Sequence, residues 1–226
     1  MGAISALLFF ASIAVSMALA GGEHFPSPFA AASEWSRYFP AHSTALRWSA
    51  LLQFGSSVPL AIFTATAVSR LRFHGVQAAG ASIALVGGMA ASAFLALSAL
   101  LQWVLSFPEV VSSAATVRAL HLLAFATGGP GHVIPLGLLV AGLALTGVLH
   151  RLLPRWMLGV GLGIAVLAEL STLCLVVPGF IYLLPLARFP ALIWLVVAGE
   201  KLPASRGTRT TPAGHVGAAQ LSGGAA

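Results

Sequence analysis

The sequence predicts an all-α polytopic membrane bundle of about six transmembrane helices, and three observations carry that prediction. The first is six long apolar segments along 226 residues. The second is how little charge there is: 58% of residues are hydrophobic, 7% are charged, and the mean hydropathy is +0.97. A soluble domain has about a quarter of its residues charged, so this chain cannot cover a water-facing surface, whereas lipid asks for no such cover. The third is where the charge lies. The net charge of +6 comes from basic residues between the apolar segments and in the tail, as expected of membrane-flanking loops. Membrane lipids are therefore the expected surroundings, and nucleic acid is not an expected partner.

The first segment, Ala3–Ala20, ends in Ala18-Leu19-Ala20, which resembles a small-residue cleavage site. No basic residue precedes it, and a basic start belongs to a cleaved signal, so a retained helix is expected. Gly21–His42 reads as a polar and aromatic loop holding Pro26, Pro28, Pro40, Glu23, Glu34 and Arg37. The second segment runs Ser43–Ser69 and the third Val76–Phe107. Ala114–His150 as one helix would reach roughly 55 Å, well beyond a bilayer core of about 30 Å. Gly128-Gly129-Pro130-Gly131 interrupts it, so a break or kink is expected there. The fifth and sixth segments are Trp156–Val177 and Phe180–Gly199. Residues 1–202 thus form the bundle, and 203–226, rich in Gly, Ala, Ser and Thr, read as a disordered tail.

Arg70 and Arg72 occupy one loop, Arg151 and Arg155 another, and Lys201, Arg206 and Arg209 the tail, while the alternate loops are nearly neutral. Positive-inside reasoning places both termini in the cytoplasm. Trp48 and Trp103 fall near outer ends and Trp156 near an inner one. Three small-residue spacings, Ala84 to Gly88, Gly137 to Ala141 and Gly159 to Gly163, suit close helix approach.

The chemistry is sparse. Cys174 is the single cysteine and aspartate is absent, which excludes an intrachain disulfide and every mechanism built on paired aspartates holding magnesium. No HExxH and no second cysteine support a metal site. The intramembrane histidines His121 and His132 share one broken segment, whereas bis-histidine haem needs ligands on different helices, so no cofactor is expected. What stands out is Glu169 in the fifth segment and Arg188 in the sixth. Counted from the Pro178 turn, Glu169 lies about 13 Å deep and Arg188 about 15 Å. An intramembrane charge is expensive, so an ion pair between them is one expectation, either fixing helix register or serving a ligand. Gln53, Arg118, His121 and His132 approach the same layer, with Gln102 nearer the outer end of the third segment. Arg118 and His121 share a face at i, i+3, although Arg118 could instead snorkel to headgroups. Pro185 and Pro190 flank Arg188, which leaves open a late helix start and a re-entrant turn.

The stretches His121…Phe125, Gly128-Gly129-Pro130-Gly131, Leu153-Pro154-Arg155-Trp156 and Leu184-Pro185-Leu186-Ala187-Arg188-Phe189-Pro190-Ala191-Leu192-Ile193-Trp194-Leu195 together resemble the DUF4386-type family of small bacterial multi-pass membrane proteins of unknown function. The resemblance covers roughly residues 45–203. It implies six helices in a bacterial inner membrane and supplies no catalytic residues.

The functional expectation is binding or transport of a small molecule or lipid in an outward-facing polar pocket lined by Glu169, Arg188, His121, His132, Arg118 and Gln53. One alternative is an intramembrane enzyme acting on a lipid or isoprenoid, with Glu169 as acid or base. Another is a structural or accessory subunit with a membrane-protein partner.

Overall fold

The computed structural model describes residues 1–203, so the expected tail lies outside the described residues except for Pro203. The described chain is helical. Helices α1 (Gly2–Leu19), α3 (Ser43–Phe73) and α4 (Ala79–Val104) are long and apolar enough to cross a membrane. So are three composite spans: Ala114–Leu149, made of α6 (Ala114–Gly128) and α7 (Pro130–Leu149); α8 (Trp156–Leu170) with the 3-10 turn Ser171–Leu175; and the 3-10 turn Pro178–Tyr182 with α9 (Leu183–Lys201). Two short helices, α2 (Ala32–Ala41) and α5 (Pro108–Val111), lie between spans. The protein is a multi-pass integral membrane protein.

Helices α4 and α7 form the centre. Their apolar contact is made of Ala81, Ala84, Ala91, Leu136, Leu139 and Leu143, all nearly free of exposure. Small residues let the two backbones touch. A side chain on Gly87 would meet the Pro135 carbonyl oxygen at 2.6 Å and the Leu139 nitrogen at 2.7 Å. α3 packs on α4, α1 on α3 and α9, and α8 on α7 and α9. Of the three small-residue spacings, two are used: Ala84 lies against Gly142, Gly88 against Thr64, and Gly137 against Ala168. Gly159 and Gly163 meet nothing and face outward.

Close packing without a water-driven hydrophobic effect suits a membrane bundle, where dispersion and interhelical hydrogen bonds hold helices together. The hydrogen bonds are of that kind. Ser5 and Ser56 pair across α1 and α3, with Ser5 Oγ donating to the Ser56 carbonyl at 2.9 Å. Ser98 Oγ on α4 donates to the Ala124 carbonyl on α6 at 2.9 Å. Arg70, at the end of α3, donates to the carbonyls of Gly199 and Leu202 at 3.4 and 3.3 Å. That contact caps the C-terminal end of α9 with a cation.

The segment before α3 departs from the expected loop. Gly21 and Gly22 end α1 with φ of +63° and +88°, left-handed values that glycine adopts without penalty. The chain then folds back, and α2 buries Trp35, Tyr38 and Phe39 on one face. The spacing i, i+3, i+4 is the helical signal; Pro40 and a length of ten residues obscured it. Glu23 joins Arg37 at 3.6 Å and His42 at 3.4 Å outside this face.

Candidate functional site

The break in the fourth span creates the site. Pro130 has no backbone N–H, so it cannot continue the ladder of α6. The chain pivots at Gly129, whose φ and ψ are −84° and −106°. A side chain there would strike the Phe125 carbonyl at 2.6 Å. Beyond the pivot the His132 and Val133 amides both donate to the Gly129 carbonyl, at 3.2 and 2.9 Å. The Gly128 carbonyl is thereby left without the donor that an unbroken helix would provide.

Arg188 supplies a donor in its place: the guanidinium donates to the Gly128 carbonyl and lies over the Phe9 ring of α1, 5.4 Å from the centroid. Arg188 sits within α9, five residues past its first, so the re-entrant turn allowed by Pro185 and Pro190 does not form. Its Nε has no hydrogen-bond partner.

His132 is fully buried, and its Nδ1 donates to the Ala91 carbonyl on α4 at 2.9 Å. A carbonyl only accepts, so Nε2 carries the free lone pair. That atom too is unpartnered. His121 is 2% exposed. Phe25 and Phe39 meet its ring edge-on at 5.4 and 5.0 Å, and its Nε2 is likewise unpartnered.

Arg188, Gly128 and His121 border a cavity of about 290 Å³, walled by α3, α4, α6, the start of α9 and the Phe25–Pro28 segment. Arg188 and the Gly128 carbonyl lie toward one end. His121 is seven residues away along α6, about 10 Å at helical rise. Gln102 of α4 donates to Gln53 of α3 at 2.6 Å, and both line the wall. Phe125, Leu184 and Phe189 supply apolar surface.

Of the residues singled out in the sequence, Arg188, His121 and Gln53 line this cavity; His132 does not, because it is fully buried with its Nδ1 on the Ala91 carbonyl of α4. Glu169 and Arg118 do not line it; both are exposed. The expected Glu169–Arg188 ion pair is absent: among the described residues the ion pairs are those of Glu23. Matching depth fixed only one coordinate. Ala168 packs against Gly137, and the next residue is turned about 100° away, so Glu169 faces outward. The acid or base role considered for Glu169 therefore lacks a cavity and a partner. Arg118 lies one turn nearer the start of α6 than His121 and stays exposed, consistent with snorkelling.

Gln102, expected near the outer end of the third segment, also lines the cavity; sequence reasoning missed its pairing with Gln53, Ser98, and the Phe25–Pro28 strap over the cavity. A glutamine in each of two neighbouring spans was a readable signal; the strap had none beyond its aromatics. Cys174 packs with Val133, Ala168, Leu184 and Ala187 as a small apolar side chain. Comparison with protein families, with curated proteins and with solved structures found no match.

Proposed function

We propose that this membrane protein binds a small molecule in the cavity between α3, α4, α6 and α9, beneath the Phe25–Pro28 strap. One observation carries the reading. A guanidinium that stays charged at any physiological pH borders a cavity and has, among the described residues, no carboxylate paired to it. Inserting an arginine at membrane depth costs at least ~2.5 kcal/mol. Satisfying the Gly128 carbonyl offsets part of that cost, and a bound ligand would offset more. The basic ends of α3 and α9 lie together, which supports a cytoplasmic position for them and an outward one for the strap and cavity.

Native mass spectrometry of the detergent-purified protein tests this. The wild type is expected to carry one small-molecule adduct per chain or to acquire one from a charge-diverse library. Ala124→Phe, which fills the cavity, is expected to lose it. Equal adducts in both proteins, or none in either, would overturn the proposal.

A further inference from the structure

We infer that the ligand is a singly charged organic anion with a short apolar body, its acid group seated on Arg188; this rests on the binding reading above. The sign of charge comes first. All five side-chain carboxylates of the chain are accounted for elsewhere: Glu23 pairs with Arg37 and His42, Glu34 is on α2, Glu109 on α5, Glu169 faces outward and Glu200 is at the far end of α9. The cavity therefore has a fixed positive charge and no compensating side-chain carboxylate. A planar guanidinium without a carboxylate partner matches a carboxylate or phosphate better than any neutral group does.

Size comes second. A volume of about 290 Å³ holds roughly ten water-sized groups at about 30 Å³ each. That corresponds to about eight carbons and an acid group, and it excludes a two-chain lipid held whole. Polarity comes third. Phe125, Leu184 and Phe189 line the walls between the arginine and the strap, where an alkyl or aryl body loses nothing by leaving water. Gln53, Gln102 and His121 bring polar atoms to the same walls. His121 Nε2 is a buried atom without a partner. The shared chemistry, an acid group on a narrow apolar stem, has two possible sources: a free amphiphilic acid, or the headgroup region of an anionic phospholipid reaching in from the bilayer.

Isothermal titration calorimetry in a neutral detergent, with partition into protein-free micelles subtracted, tests the inference using octanoate, octanol and octylamine. Octanoate is expected to bind at least ten-fold more tightly than octanol, and octylammonium not at all. In Arg188→Met the octanoate advantage is expected to vanish while octanol affinity stays within about three-fold. Equal binding of octanoate and octanol by the wild type would overturn the anion assignment and leave the pocket standing. Binding of octylammonium at octanoate affinity would overturn it as well, and silence from all three ligands would overturn both readings. Repeating the octanoate titration in nanodiscs separates the sources. Weakening of ten-fold or more by phosphatidylglycerol, relative to phosphatidylcholine, supports a membrane headgroup as the natural anion, and no weakening supports a free acid.

Discussion

Replacing Arg188 by methionine separates an arginine held for stability from one held for a ligand. The guanidinium donates to the Gly128 carbonyl and covers the Phe9 ring at 5.4 Å. Losing the first leaves a buried acceptor unsatisfied, about 1–3 kcal/mol, and losing the second removes about 0.5–2 kcal/mol. Against these stands relief from holding a cation at membrane depth, about 2.5–3.5 kcal/mol. Methionine, flexible and of similar length, keeps most of the packing. The terms nearly cancel, so Arg188→Met is expected to lie within about 1 kcal/mol of wild type. For a chain of this size that is a melting shift of about 2–4 °C in either direction. Thermal unfolding in detergent, followed by tryptophan fluorescence, measures it. Because Glu169 is not paired with Arg188, Glu169→Gln and the double variant should be additive within about 0.5 kcal/mol. A fall beyond about 8 °C in Arg188→Met, rescued by adding Glu169→Gln, would refute the reasoning and restore a structural ion pair.

Two other consequences follow from the packing and the strap. Gly87→Leu drives a side chain into the Pro135 and Leu139 backbone of α7, an overpacking expected to cost about 1–3 kcal/mol or more; Gly163→Leu, on an open face, should melt within a degree or two of wild type under the same assay. Burial on α2 pushes the Tyr38 phenol above its ordinary value of 10.0. The folded state thus favours the neutral phenol: this contribution to α2 docking is complete below pH 10 and is lost as pH rises from there through the raised value. Absorbance titration of a Tyr182→Phe variant should place the phenolate transition above 10, and a transition at or below 10 would show that α2 does not hold the ring against the bundle.

How much of this was legible in the sequence differs by level. The six spans were legible because hydrocarbon-length apolar runs have few alternatives. The break in the fourth span was legible because Pro130 lacks an N–H, whatever surrounds it. Arg188 was legible as a costly charge, but its partner was not. Counting residues from the Pro178 turn measures depth along each helix, whereas partnership also depends on rotation about the axis, which the contact of Ala168 with Gly137 sets. The Gly128 carbonyl was a backbone partner, invisible to any search among side chains. α2 was hidden by Pro40 and its shortness, and with it went the strap that places Phe25 against His121.

The central claim is a water-accessible polar cavity inside the bundle, and cysteine accessibility tests it most directly. In a Cys174→Ser background, which removes the single native thiol, Gln53→Cys places a thiol on the cavity wall and Leu97→Cys places one on the exposed apolar face of α4. A thiolate attacks the sulfenyl sulfur of a charged methanethiosulfonate reagent, forming a mixed disulfide and releasing methanesulfinate, and thiolates form only where water reaches. In bilayer nanodiscs Gln53→Cys is expected to react at least ten-fold faster than Leu97→Cys, and octanoate should slow it. Equal, slow reaction at both positions, unchanged by octanoate, would contradict the account.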